Sequence, residues 1–183
     1  MSLFTYVEKL VDESYFEKLL YSLQDKLVKN ANRSSCLFNL HPIKIDMYAG
    51  YLPTYNYEEV PSCLHEIRTI VEKNSNEIFD FVLIHLYIDG SSNINYHSDS
   101  EAKNSEIASV SLGATRKFRL RKIGQTKGWD YEFNLKSGDC IYMHKPSTKN
   151  NFIGCQSVYS HCVPKELKVK EPRLNLTFRQ YEI

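Results

Sequence analysis

The sequence predicts a mainly β domain of the α+β class: a double-stranded β-helix, or jelly roll, with two N-terminal helices packed on its sheet. From Phe79 onward the chain divides into short segments rich in β-branched and aromatic residues, separated by turns carrying Gly, Asn, Ser or Lys. Before Phe79, two stretches place apolar residues at helical spacing. The length, 183 residues, and a composition 42% hydrophobic and 13% aromatic supply one core and require no second domain. Many short strands after two helices point to an antiparallel β-sandwich, because doubling the sheet protects its edges.

Phe16, Leu19, Leu20, Leu23 and Leu27 recur at helical spacing behind a cap at Asp12 or Ser14, which predicts an amphipathic helix of about 15 residues covering a sheet. The second helix starts at Pro61, with Leu64, Ile67 and Val71 on its buried stripe. Between them, "MYAGYLPTYNYEEV" gathers Tyr48, Tyr51, Tyr55 and Tyr57 around Gly50 and Pro53, which disfavour a regular helix. A loop whose tyrosines seal a sheet edge explains this segment, and so does an aromatic surface that stacks bases. Strands are expected at "FVLIHLYI", "INYHSD", "IASVSLG", "RKFRLR", "YEFNL", "CIYMH" and "RLNLTFRQY". The segments "AKNSE", "IGQTKGWD" and "STKNN" read as exposed loops. Residues 1–78 are then support and residues 79–183 the jelly-roll core of a single domain.

Net charge is only +1, so the global basic signature of many nucleic-acid binders is absent. Locally, Lys117, Arg119 and Arg121 share one face of "TRKFRLRK", with Phe118 and Leu120 on the other, and "PKELKVK" adds Lys165, Lys168 and Lys170. Solvated cations on a sheet edge fit this pattern, and so do contacts to phosphates. The five cysteines are odd in number and form no C-x-x-C pair, which signals reduced thiols rather than a disulfide framework or a zinc site. There is no apolar run of roughly 18 residues, and "MSLFTYVEKL" is not a charged-then-apolar leader. A soluble intracellular monomer without a membrane partner is expected, nucleus and cytoplasm being indistinguishable.

The chemistry lies further along. In "NINYHSDSE", His97 and Asp99 are two residues apart, so in an extended segment both side chains point the same way and can grip one metal ion. A third ligand must come from another strand, and His161 in "VYSHCVP" lies far enough downstream to supply it. Two imidazoles and one carboxylate without a thiolate form the facial triad of non-haem Fe(II), although each such residue alone is more often an ordinary polar group. In "PRLNLTFRQ", Leu174, Leu176 and Phe178 alternate with Arg173, Asn175, Thr177 and Arg179, giving one apolar face and one doubly cationic face. A half-solvated edge strand has this pattern. Beside an iron site the two guanidiniums also suit a dicarboxylate held by two-pronged, charge-assisted pairs, with 2-oxoglutarate the natural cosubstrate. Cys162, next to His161, faces the opposite way in a strand and is expected in the core.

These blocks resemble the AlkB-type Fe(II)/2-oxoglutarate dioxygenases, which remove alkyl groups from nucleic-acid bases, and especially the DNA-repair members. The resemblance covers roughly residues 45–181 through "FDFVLIHLYIDGSSNINYHSDSE", "IASVSLGATRKFRLR", "GDCIYMHKP", "HCVPKE" and "PRLNLTFR", in the family's order. It implies Fe(II) held by His97, Asp99 and His161, and 2-oxoglutarate held by Arg173, Arg179, Asn175, Tyr87 and His85. It also implies a base-recognition lid at Thr54, Tyr55, Asn56 and Tyr57, with Tyr57 as the stacking ring and Tyr55 as a polar contact. Tyr48 in the same cluster and Glu101 complete the implied substrate-binding set, Glu101 meeting the exocyclic amine of the base. The implied reaction is oxidative demethylation of bases such as 1-methyladenine and 3-methylcytosine in DNA or RNA, single-stranded or with the base flipped out. Succinate, CO2 and formaldehyde are released, and nucleic acid is the implied partner.

Two features depart from the family's pattern. His85 and Tyr87 stand where the family has an asparagine followed two residues later by a tyrosine; histidine still donates a hydrogen bond but differs from an amide in charge and geometry. The stretch between "IYMHKP" and His161 carries extra residues such as "IGCQSV", and His144 is a rival metal ligand, with "HCVPKE" favouring His161. Two other readings remain open. One is oxygenase chemistry on a protein or small molecule; the other is a non-catalytic jelly roll that binds nucleic acid, with His85 marking a degraded cosubstrate pocket.

Overall fold

The computed structural model describes residues 2–30, 32–42, 51–148 and 151–181. Its elements in chain order are β1 (Phe4–Val7), α1 (Tyr15–Leu23), β2 (Val28–Asn30), β3 (Arg33–Asn39), β4 (Thr54–Tyr55), α2 (Ser62–Ser75), β5 (Phe81–Tyr87) and β6 (Ile94–His97). There follow β7 (Ile107–Gly113), β8 (Arg116–Lys122), β9 (Tyr131–Leu135), β10 (Cys140–Met143), α3 (Cys155–Val158), β11 (Tyr159–Val163) and β12 (Arg173–Arg179). Short 3-10 turns lie at Tyr57–Glu59 and Ser100–Ala102. The sequence reading places no strand before Phe79, yet four are present. They are short or serine-rich, and partners far along the chain define them: β1 pairs with β10, and β3 with β5.

Helix α1 has nine residues rather than the longer span expected, because the chain turns toward β2 after Leu23. Leu27 still packs on the core from beyond the helix end. Ser14 is the N-cap but makes no side-chain cap bond; the side-chain acceptor comes from Asp12, which takes the Ser14 N–H at 2.8 Å. Helix α2 starts after Pro61 and ends at Asn76, whose φ of 57° gives the left-handed C-cap that asparagine tolerates. Among the described residues, no helix is long and apolar enough to cross a membrane.

The major sheet runs β1-β10-β7-β12-β5-β3-β2, with β4 parallel to β3; the minor sheet runs β6-β11-β8-β9. Strand alternation gives the major sheet two different faces. Phe38, Val82, Ile84, Val110, Leu174, Leu176 and Phe178 meet Leu19, Leu23, Leu64, Ile67 and Val71 of the helices in the larger core. Tyr87, Ile107, Ile141 and Met143 point the other way and meet Phe118, Leu120, Leu135, Tyr159 and Val163 of the minor sheet. The result is the jelly-roll sandwich.

Strand β12 is not a half-solvated edge. It lies between β5 and β7, and all seven of its residues are buried. Arg173, Asn175, Thr177 and Arg179 therefore face the interior of the sandwich, where buried polar groups require partners. Cys162 also differs from the expectation: it is buried, but on the outer face of the minor sheet beside Tyr96, Arg119 and Arg121 rather than in the core.

Candidate active site

In the β6–β11 ladder His97 stands directly opposite His161, and the two ring centroids are 4.3 Å apart. Directly opposed residues are the closest side-chain pairs an antiparallel ladder offers. Strand β6 ends at His97, and Asp99 opens the 3-10 turn that follows. Its carboxylate still turns back to the pair, with Oδ1 3.6 Å from His97 Nε2 and Oδ2 3.7 Å from His161 Nε2. Donor atoms of all three residues lie within 4.8 Å of one another.

A divalent cation needs neutral imidazoles and an ionised carboxylate. His97 Nδ1 is 2.9 Å from the Asn95 carbonyl oxygen, which can only accept. Nδ1 therefore carries a proton, which leaves Nε2 as the ring atom turned toward Asp99 and His161. Burial pushes the His161 pKa down to about 4, so this ring is neutral at neutral pH. Burial pushes the Asp99 carboxyl up, but Arg179, then His161 and His97, outweigh it and hold the group below the ordinary carboxylate value. Asp99 Oδ2 is buried without a hydrogen-bond partner among the described residues. A bound cation would relieve the cost of that orphaned oxygen.

Asp99 is positioned by a residue the sequence reading missed. Gln156 of α3 is buried, and its Oε1 accepts the Asp99 backbone N–H at 2.9 Å while its Nε2 donates to the Met143 sulfur at 3.2 Å. Its only sequence signal is the set of extra residues "IGCQSV". His144 stands elsewhere. Its Nδ1 is 2.7 Å from Glu106 and its Nε2 is 2.8 Å from the Thr5 hydroxyl, on the wall of a separate cavity of about 560 Å³. Cavity size does not mark the site, since the cleft that reaches His97 and Asp99 measures about 340 Å³.

Facing the triad, Ser35, His85, Asn175 and Ser111 form one lateral row across β3, β5, β12 and β7. Arg173 lies opposite Tyr87, its guanidinium 5.2 Å from the ring centroid, and Nη2 donates to the Ser111 hydroxyl at 2.8 Å. Its Nε and Nη1 are buried without acceptors among the described residues. Burial lowers its pKa only to about 10, so the charge persists. A charged fork with unsatisfied N–H groups in a protein interior suits a carboxylate. Asn175 is committed through its amide to the Ser109 hydroxyl at 2.9 Å and the Val110 carbonyl at 3.0 Å.

His85 is tautomerically fixed. Arg33 Nε donates to His85 Nδ1 at 3.2 Å, so Nδ1 is an acceptor and the Ser35 hydroxyl, 2.6 Å away, must donate to it as well. The ring proton sits on Nε2. Burial, then the Arg33 charge, pushes the pKa well below 6.5. This histidine is a neutral hydrogen-bond donor, much as an amide would be.

The cleft is lined by Arg33, Tyr51, Leu52, Glu101 and Arg179 as well as by His97 and Asp99. Tyr55 and Tyr57 are not among the lining residues. Pairing of β4 with β3 turns Tyr55 onto Phe38, with ring centroids 5.1 Å apart, and its hydroxyl donates to the Lys26 carbonyl at 3.1 Å. Tyr57 packs edge-on against His65 at 5.2 Å. Tyr48 lies outside the described residues. Among the described residues, the tyrosine that the fold brings to the cleft is Tyr51, 82% exposed, and composition alone offers no way to rank it above its neighbours.

Comparison with known proteins agrees with this geometry. The family described as the 2OG-Fe(II) oxygenase superfamily matches residues 7–179. The chain belongs to this family. The 2OG-Fe(II) oxygenase superfamily carries the identity of the metal and the cosubstrate, Fe(II) and 2-oxoglutarate. Alpha-ketoglutarate-dependent dioxygenase alkB homolog 3 of Homo sapiens is 32% identical over 154 residues, covering 74% of this chain and 51% of that protein. DNA oxidative demethylase ALKBH2 of Homo sapiens is 35% identical over 126 residues, covering 64% and 45% respectively. The chain thus spans about half the length of these relatives. A solved structure described as "The structure of OsALKBH1" covers 98% of this chain and 99% of its own with a TM-score of 0.69 and 17% identity, which shows a shared fold. The resemblance and the jelly roll read from the sequence both hold for this 2OG-Fe(II) oxygenase.

Proposed function

We propose that the chain oxidatively demethylates N-alkylated bases, such as 1-methyladenine and 3-methylcytosine, in DNA or RNA, using Fe(II), 2-oxoglutarate and O2. The carrying observation is the convergence of His97, Asp99 and His161 within 4.8 Å at the foot of an open cleft. Two buried guanidiniums, Arg173 and Arg179, face the same interior. The substrate class is supported by the printed names of two relatives, an alkB homolog 3 dioxygenase and a DNA oxidative demethylase.

In this reading His97 Nε2, His161 Nε2 and an Asp99 oxygen hold the iron. Arg173 offers its unsatisfied Nε and Nη1 to one carboxylate of 2-oxoglutarate, and Arg179 and Asn175 complete that pocket. Tyr87 and the neutral His85, donating from Nε2, close it without adding charge. Bound there, iron and keto acid supply the oxidation that turns an N-methyl group into a hydroxymethyl group, with succinate and CO2 as co-products and formaldehyde as the group finally lost. Tyr51 at the rim provides a stacking face for a base, while Tyr55 and Tyr57 shape the lid from behind. Glu101 accepts from an exocyclic amine, and its charge favours a cationic methylated ring over a neutral base.

The test is anaerobic reconstitution with Fe(II) and 2-oxoglutarate, followed by O2 and a short single-stranded DNA carrying 1-methyladenine or 3-methylcytosine. Methyl loss by mass and succinate formation are read together, and both are expected to vanish in His97→Ala and Arg173→Ala. Succinate without methyl loss would discard the substrate class. Iron binding with neither product would discard the reaction.

A further inference from the structure

The reverse face of the minor sheet carries a second groove, of about 510 Å³, lined by Asn93, Asn95, Tyr96, Arg119, Arg121 and Lys165. We propose that this groove is a track for the phosphodiester backbone of the strand whose base enters the cleft. The inference rests on the proposed nucleic-acid substrate and adds a second place on the protein where that substrate is held.

Strand alternation fixes where the groove lies. Tyr96 and Cys162 are chain neighbours of His97 and His161, so they point away from the triad toward the outer face. On that face Arg121 stacks on the Tyr96 ring at 3.7 Å, which holds its planar fork in one orientation. Its Nη1 reaches only the Thr126 carbonyl, at 3.4 Å, and its Nε is buried without an acceptor among the described residues. A buried guanidinium N–H without an acceptor is unfavourable until an anion arrives. Lys165 is exposed and has no partner among the described residues.

The acids on this face are already engaged. Glu132 is 2.6 Å from Arg119 and 3.7 Å from Lys117, and Asp130 accepts the Lys122 backbone N–H at 2.9 Å. Among the described residues neither Arg121 nor Lys165 forms an ion pair with a carboxylate, and the Asn93 and Asn95 amides lie beside them. Such contacts hold a phosphate without reading a base, which positions a strand independently of its sequence.

The groove adjoins the cleft. Strand β6 is an edge of the minor sheet, and Ile94 lines both spaces. Only the width of one strand, about 4.8 Å, separates them. A polymer leaving the cleft meets Arg121 and Lys165 as soon as it rounds β6. An acidic protein surface would satisfy the same charges, but it has no reason to be joined to an occupant of the cleft.

The test uses metal-free protein and an unmodified, labelled single-stranded oligonucleotide, with affinity measured by fluorescence anisotropy across a salt series. Arg121→Gln and Lys165→Gln should each make the slope of log affinity against log salt shallower by about 0.7, the value for one lost single-strand phosphate contact. Lys73→Gln, at an exposed position on α2, should leave it unchanged. Thermal midpoints check folding, and Lys165→Gln keeps the test valid if Arg121→Gln perturbs the sheet. Unchanged slopes in both groove variants would overturn the proposal, as would equal displacement of the oligonucleotide by polyglutamate. Weakened strand binding in a protein that demethylates nothing leaves the track standing and removes the reaction. Demethylation with unaltered strand binding in both variants does the reverse.

Discussion

The guanidinium of Arg179 lies 2.9 Å from Asp99 Oδ1, and the same guanidinium pairs with Glu101. One cation thus joins a proposed iron ligand on one side to a residue lining the open cleft on the other. Asp99 is 3% exposed, so its ionised form depends on that neighbour.

Arg179→Met should therefore strand a buried charge. Breaking a buried pair by removing one partner costs about 3–5 kcal/mol. Urea denaturation of the metal-free protein should show a loss of that size, and adding Asp99→Asn should recover part of it. A change below about 1 kcal/mol would mean that water or another donor already serves Asp99.

His85 gives a pH signature. Its folded pKa is depressed below 6.5, so its contribution to stability is complete above that pH. As the pH falls, the unfolded chain takes up a proton that the buried ring refuses, and stability is lost. His85→Asn removes this component. The thermal midpoint of the wild type should drop more steeply than that of the variant between about pH 7 and pH 5; parallel curves would show that the ring is protonated in the folded state.

Gln156 should matter to metal affinity although it is no ligand. It holds the Asp99 backbone at 2.9 Å, and loss of such outer-shell partners typically costs about 10–100-fold in affinity. Titration of Gln156→Ala with Mn(II), followed by electron paramagnetic resonance, should show weakening in that range. Unchanged affinity would assign Gln156 to packing alone.

Tyr51 and Tyr55 should separate binding from stability. Tyr51→Ala removes an exposed ring, so the thermal midpoint should hold while affinity for a methylated strand falls by about 1–3 kcal/mol, the worth of one stacked base. Tyr55→Ala removes a half-buried ring stacked on Phe38 and should destabilise by on the order of 2 kcal/mol, less than a fully buried aromatic. The opposite pairing of effects would return the stacking role to Tyr55.

What the sequence disclosed and what it concealed follow from the range of each signal. The alternation of Leu174, Leu176 and Phe178 with Arg173, Asn175, Thr177 and Arg179 is local, and so is the His97-x-Asp99 spacing; both were legible. The position of β12 between β5 and β7 was not, because one alternating pattern serves a strand at an edge or at the centre. The partners of His85 come from β3, some fifty positions away in the chain, so its tautomer could not be read from its neighbours. That Tyr55 turns onto Phe38 and away from the cleft follows from the register of β4 on β3, a pairing that the two segments do not encode by themselves.

The pairing of His97 with His161 has a last consequence. The ladder is in register at these two residues and shifts immediately afterwards, with Val163 opposite Ile94. A strand zipped one position out would offer Tyr96 or Cys162 where an imidazole belongs, since a one-residue slip turns every side chain to the other face. If these residues hold the metal, its uptake would act as proofreading: a misaligned molecule would be blind to the ion, and a correctly aligned one would be clamped by it along a sheet edge. The fraction of protein able to take up metal would count the molecules whose smaller sheet has closed in the right frame.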